Sequence, residues 1–287
     1  MAHLTQFGSA VAGNNPRIYR GSGPRILRLK PPTGAELPFA TDGTSVHYHA
    51  VAETQPAQYF GARVMLRVYA LDPTPGDMTL GQLWMVDSTT RATAEVGWMI
   101  QPQLYTSGQP TFFLFYNPDG YGSQSHYVDV NDQGPFTPAV DMVPGAPFTA
   151  LPAAGVETTH GFGVSFDASG SLIVWTTQSD GTWVQVGSYS PGAYDGINFD
   201  VVQFGWEVAG RPNCGGMGTG AQPQNPDTDL GKVAYFLKAE VQTELGGEWT
   251  AAELTGASDQ EDTSRGYLIA TGTDPDWGSF AFGGGPK

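Results

Sequence analysis

Apolar residues recur at every second position along much of this chain, the signature of strands that turn one face to a core. In 63–71, Val64, Leu66 and Val68 fall on one face, and Arg63, Arg67 and Tyr69 on the other. Similar short runs occupy 80–86, 94–100, 111–116, 161–166, 172–177, 182–189 and 201–208. Turn-forming residues separate them: Pro73-Thr-Pro-Gly76, Asn117-Pro-Asp-Gly120, Asp167-Ala-Ser-Gly170 and Ser179-Asp-Gly181. Each supplies either a preset φ or tolerance of a positive one. Segment 232–245 is ambiguous. Val233, Leu237, Val241 and Leu245 stand at helical spacing, while Ala234-Tyr-Phe-Leu237 suits a strand, and a strand is the expectation taken. The pattern predicts an all-β fold built as one antiparallel β-sandwich or closed double sheet. Residues 1–40, rich in Gly, Pro and Arg, read as an arm or edge segment, and 41–287 as the main domain.

Composition sharpens this in three ways. The 39 glycines and 22 prolines, with only 14% charged residues, suit short strands and tight turns rather than a helical bundle. A net charge of −15 repels backbone phosphate, so nucleic acid is not an expected partner. There is no basic amphipathic stretch and no run of about 18 apolar residues, so a membrane partner is not expected either. Cys214 is the only cysteine, which excludes an intrachain disulfide and a cysteine metal cluster. Residues 1–28 lack an apolar stretch of signal-peptide length. The chain is therefore expected to be cytosolic, or to have lost a targeting segment.

Two strands carry candidate chemistry. In Glu95-Val-Gly-Trp-Met-Ile100, Val96, Trp98 and Ile100 share one face, and Glu95 and Gly97 the other. In 201–208, Val202, Phe204, Trp206 and Val208 share a face, with Gln203, Gly205 and Glu207 opposite. Trp98 and Trp206 are thus expected in the core. A strand glycine packs nothing and often marks the close approach of a ligand or another backbone. Gly97 and Gly205 each lie two residues from a glutamate, on that glutamate's face. Placed side by side, the strands would offer a bare floor flanked by two carboxylates. Paired carboxylates in unlike environments divide into acid and base. The plainer alternative is a solvated strand face with glycine bulges.

Several segments, in order, look like the parts of one known catalytic domain. His49-Ala-Val-Ala52 and Tyr59-Phe-Gly-Ala-Arg63 look like its opening strand pair, and Gly81-Gln-Leu-Trp-Met85 like its Gln-Ile-Trp strand. Ala94-Glu-Val-Gly-Trp98 is similar to the strand bearing the first catalytic glutamate. Phe113-Leu-Phe-Tyr-Asn-Pro-Asp-Gly-Tyr121 follows, and Phe204-Gly-Trp-Glu-Val208 is similar to the strand bearing the second. Gly216-Met-Gly-Thr-Gly220, Lys232-Val-Ala-Tyr-Phe236 and Asp276-Trp-Gly-Ser-Phe-Ala-Phe-Gly-Gly283 complete the series, and together these segments resemble the catalytic domain of the neprosin family.

The resemblance implies a jelly-roll-like double sheet with a cleft across one sheet. It implies a secreted glutamic endopeptidase, active at acidic pH, that cuts after proline in peptide or protein substrates without a cofactor. Glu95 and Glu207 would be the dyad and Gln82 an oxyanion donor. Gln203, Gly97 and Gly205 would line the cleft, and Trp84 would stack on substrate proline. The chain lacks the cysteines of many plant members. Gln203 stands where the family often has glutamate, and Trp206 where it has a second glycine, which implies a narrower cleft. The alternative is a non-catalytic sandwich module that binds carbohydrate or protein. Oligomeric state is not legible.

Other constellations are weaker. His47 and His49 share a strand face at a spacing that can bind metal, but no third ligand is evident at fitting spacing, so no metal is expected. Asp129-Val-Asn-Asp132 lacks the distal glutamate of a calcium loop and reads as a turn. There is no Gly-x-Ser-x-Gly elbow for serine hydrolysis.

Overall fold

The structure, a computed structural model, describes residues 17–19, 46–68, 78–102, 104–105, 109–129, 132–139, 144–148, 159–210, 233–258, 268–271 and 280–283. Among them are seventeen strands and no helix. In chain order they are β1 (Arg17–Tyr19), β2 (Val46–Thr54), β3 (Gly61–Arg67), β4 (Met78–Val86), β5 (Thr93–Ile100) and β6 (Thr111–Asn117). Next come β7 (His126–Val128), β8 (Phe136–Pro138), β9 (Thr159–Phe166), β10 (Leu172–Thr177), β11 (Trp183–Tyr189) and β12 (Val201–Gly210). The last are β13 (Ala234–Gln242), β14 (Thr250–Ala251), β15 (Leu254–Ser258), β16 (Leu268–Thr271) and β17 (Phe280–Gly283).

The strands form two antiparallel sheets packed face to face, as the alternation predicts. One has the order β15-β2-β12-β4-β5-β6-β7. The other runs β1-β16-β17-β13-β3-β9-β10-β11-β8, with β14 on β13. The core between them is aromatic. Phe204 meets Phe236 at 5.7 Å between ring centroids, Phe112 meets Phe162 at 5.8 Å, and Trp206 meets Phe282 at 5.0 Å. Trp98 and Trp206 are fully buried here, as alternation requires. Gly81 lies opposite both across β4. A Cβ there would stand 3.0 Å from each indole, so this glycine lets two tryptophans flank one strand.

Three expectations are corrected or refined. Trp206 faces the core, so the change from glycine does not narrow any cleft on the opposite face. The segment with helical spacing is strand β13, whose pairing with β3 shifts register between Leu237 and Glu240. Lys238, inside that irregularity, has φ +53°. Val233 and Leu237 pack in one cluster with Tyr235, Val241 packs in the main core beyond the irregularity, and Leu245 is exposed, so the four-residue spacing does not mark one face. The face of β4, β5 and β6 turned away from the main core is not a solvated surface, since every residue of these strands is buried. Leu80, Trp84, Met99, Phe113 and Phe115 form a second apolar cluster there, joined by Leu104, Tyr121 and Tyr127. The turn at 73–76, Tyr69, Leu71, Arg211, Cys214, the 216–220 turn, Lys232, residues 276–279 and all of 1–40 except β1 lie outside the described residues.

Candidate active site

The second face carries the site, and strand register builds it. On β4, Leu80, Gln82 and Trp84 alternate onto this face. Glu207, Gly205 and Gln203 of β12 stand opposite them on one side. Met99, Gly97 and Glu95 of β5 stand opposite on the other. Gln82 is therefore the centre, with a glycine on either flank and the two glutamates at opposite corners. Sequence alternation foresaw which residues share the face, and the structure puts β4 between the two glutamate strands.

Glu95 is held by donors from three directions. Thr93 Oγ1 donates to Oε1 at 2.7 Å, and Tyr121 Oη donates to the same oxygen at 3.0 Å. The network sets the Gln82 amide with its nitrogen 3.2 Å from Glu95 Oε2 and its oxygen accepting from Trp84 Nε1 at 2.8 Å. Thr93 is itself fixed by Asn117 Nδ2, which donates to its hydroxyl at 2.9 Å. Burial pushes the Glu95 carboxyl up to about 7, and the negative charge of Glu207 adds to this against the pull of the Thr93 and Tyr121 hydroxyls.

Glu207 lives in the opposite environment. His49 of β2 pairs with it directly in the sheet, and His47 pairs with Ala209 two residues on. His47 Nδ1 hydrogen-bonds Glu207 Oε1, and His49 Nε2 lies 3.4 Å from Oε2. The two imidazoles stack with centroids 6.3 Å apart. Burial alone would raise this carboxyl. The charge of His49 and the hydrogen bonds from both histidines outweigh it and hold Glu207 well below the ordinary carboxylate range. One carboxyl is poised to keep its proton and the other to stay ionised.

Some site expectations change meaning. Gly97 and Gly205 do lie on the glutamates' face, but their missing side chains leave no open floor. A Cβ on Gly97 would come within 2.1 Å of Gly81 O and 2.7 Å of Gln82 Cα. One on Gly205 would come within 2.2 Å of Ala50 O. These glycines permit tight approach of the neighbouring strands. Trp84 is 3% exposed and its indole N–H is committed to Gln82, so it orients that amide and presents little ring surface for stacking. Gln203 Nε2 donates to Glu53 Oε2 at 3.0 Å, at the far end of the face. His47 and His49 do have a third ligand-type neighbour, contrary to the expectation from spacing, because the pairing of β2 with β12 brings Glu207, 158 residues beyond its sheet partner His49, beside them. Asp129 and Asp132 form a turn, with Asp132 N donating to Asp129 Oδ1 at 2.9 Å.

Thr93, Tyr121 and Tyr127 were not singled out from sequence. Thr93 was accessible, since it shares the face of Glu95 two residues away. Tyr121 is delivered by the turn at 117–120. Gly120 and Tyr121 both have φ +67°, and Tyr121 N donates to Asn117 Oδ1 at 2.6 Å. This bends the chain back over β6, where the Tyr121 ring stacks on Phe115 at 6.0 Å. Burial, with the charge of Glu95 adding to it, keeps the Tyr121 phenol neutral far above its usual range.

Comparison with known proteins gives a family match and several similar structures. A family model described as Neprosin matches residues 75–286. The chain is similar to scytalido-glutamic peptidase, crystallised with a transition-state analogue inhibitor, at 10% identity. That match covers 83% of this chain and 100% of the other, with a TM-score of 0.48. It is similar to SCP-B, a member of the Eqolisin family of peptidases in complex with the tripeptide Ala-Ile-His, at 9% identity over 84% of this chain and 100% of the other, with a TM-score of 0.43. β-Agarase A from Zobellia galactanivorans matches at 11% identity over 85% and 73% of the two chains, with a TM-score of 0.32.

Proposed function

The chain belongs to the neprosin family, and on that premise we propose that it is a glutamic endopeptidase in which Glu207 is the general base and Glu95 the general acid. The observation that carries this reading is the placement of the two carboxyls on one sheet face around Gln82, in environments that favour opposite protonation states. A buried acid and an ionised base on one face are what water-mediated peptide hydrolysis needs.

In the proposed reaction, Glu207 takes a proton from water as its oxygen attacks the scissile carbonyl carbon. Protonated Glu95 donates to the carbonyl oxygen. Collapse of the tetrahedral species returns that proton to Glu95, and the proton on Glu207 passes to the leaving amine. Both carboxyls end as they began. Thr93 and Tyr121 occupy Glu95 Oε1, which leaves Oε2 to carry the acidic proton. One amide hydrogen of Gln82 serves Glu95, and the second is assigned to the developing oxyanion. A proline side of the scissile bond would pack against the half-buried Tyr121 ring beside Glu95. Glu95 and Glu207 retain 8% and 7% exposure. The binding-module alternative calls for exposed rings on this face, and Trp84, Phe113 and Phe115 are buried.

The test is hydrolysis of a proline-containing peptide between about pH 3 and 8, set against the same peptide with alanine in place of proline. Glu95→Gln and Glu207→Gln keep shape and remove the titrating group. Each should lower kcat by about 100- to 10,000-fold. Turnover retained in either variant removes that residue from the mechanism, and equal cleavage of the two peptides removes the proline preference.

A further inference from the structure

The histidine pair beside Glu207 is more than a carboxylate needs in order to stay ionised, and its arrangement has a chemistry of its own. His47 and His49 alternate onto the same face of β2, and Glu207 faces them from β12. One donor atom from each of the three lies within 4.8 Å of the others. Two imidazole nitrogens and a carboxylate oxygen are a donor set for first-row divalent ions and form the three-ligand half of an open zinc site. Ligands about 2.0–2.1 Å from a tetrahedral ion stand roughly 3.4 Å apart. His49 Nε2 and Glu207 Oε2 are separated by 3.4 Å. All three side chains rise from paired strands rather than loops, and on binding an ion His47 would give up the hydrogen bond its Nδ1 makes to Glu207 Oε1. The histidine side chains keep 15% and 22% exposure and that of Glu207 9%, which leaves a route for an ion and open coordination positions for water.

We propose that His47, His49 and Glu207 bind one divalent transition-metal ion, with zinc as the representative, and that the bound ion silences Glu207 as a base. The binding half stands on geometry alone. The silencing half rests on the proposed role of Glu207 in peptide hydrolysis. A carboxylate bound to a divalent cation is a far weaker base towards water, so the metal-loaded protein is the resting form and the metal-free protein the active one.

The experiment uses the full chain stripped with a chelator. Zinc chloride is titrated calorimetrically near neutral pH, and cobalt chloride is titrated in parallel while its visible absorption is read. One site per chain is expected, with Kd of about 10 µM or tighter, and a cobalt spectrum of low coordination number. His47→Asn and His49→Asn should each weaken binding by at least about tenfold, and the double variant by on the order of 100-fold. Circular dichroism confirms that the variants are folded, and Glu207→Gln gives an independent arm that leaves both histidines in place. No zinc binding, or binding untouched in all three folded variants, overturns the site. Peptide hydrolysis at the same pH then separates the two proposals. Activity that zinc suppresses and chelator restores supports silencing, and activity that zinc raises overturns it. Metal-free protein that cleaves no peptide at any pH defeats the peptidase reading while leaving the binding isotherm intact.

Discussion

Glu95 Oε1 accepts two hydroxyl hydrogen bonds, and among the described residues the one from Tyr121 has no counterpart at Glu207. A hydroxyl donated to a carboxylate favours the ionised form, so Tyr121 pulls Glu95 down against the upward push of burial. Its loss moves the acid in one direction only. Tyr121→Phe keeps the ring stacked on Phe115 and removes the donor. If Glu95 must be protonated to work, the parent loses activity as pH rises through about 7. In Tyr121→Phe the falling limb moves to higher pH, because Glu95 holds its proton longer. Rate profiles of kcat/KM between pH 4 and 9 read this directly. A limb that stays in place, or moves to lower pH, separates Tyr121 from the titration of Glu95. Thr93→Val should move the limb in the same sense, since Thr93 donates to the same oxygen.

At the scale of strands, the site depends on two strand pairs approaching more closely than side chains allow. Gly97 faces Gln82 across the β4–β5 pair, and Gly205 faces Val51 across β2–β12. The atoms that a Cβ would meet first are backbone carbonyl oxygens, which cannot rotate out of the way as a flexible side chain can. Gly97→Ala and Gly205→Ala should each cost about 1–3 kcal/mol of stability, the range of overpacking in a close-packed interior. Urea unfolding checks this, and a loss below about 0.5 kcal/mol would return these glycines to the role of substrate clearance. The same contacts show what the sequence could and could not convey. Alternation placed Glu95 with Gly97 and Glu207 with Gly205, because a period of two is local to each strand. It also placed Trp98 and Trp206 in the core. It could not show that β4 lies between the two glutamate strands, nor that His49 pairs with Glu207, since register between distant strands is set by the whole sheet. The strands β7, β8 and β14 span three, three and two residues, too short for any period to show. The reason for Gly97 was misread for a related cause. A sequence shows that a side chain is missing, but not which atom fills its place.

Across the whole molecule, the two carboxyls bend stability with pH in opposite senses, and the sign of each follows from its surroundings. Glu95 is raised from 4.5 to about 7 by burial first and by Glu207 second. Between those values the folded chain still holds this proton and the unfolded chain has released it. The stabilisation is therefore complete below about pH 4.5 and is lost as pH rises through about 7. A shift of that size is worth on the order of 3 kcal/mol. Glu207 runs the other way. Its lowered carboxyl adds stability that is present above 4.5 and declines only as strong acid protonates it. The pair thus favours the folded state most in mildly acidic solution, where the proposed chemistry also has its acid protonated and its base ionised. The remaining charge, −15 for the chain at pH 7, contributes its own pH dependence but is nearly common to a parent and a single variant. Glu95→Gln removes the titration and keeps an amide in the same space. Relative to the parent, this variant should gain about 2.5 kcal/mol between pH 5 and pH 8. Urea midpoints of both proteins at the two pH values measure that difference of differences. A relative gain near zero would mean that Glu95 ionises in the folded chain as readily as in the unfolded one, and the acid role assigned to it would fall with that result.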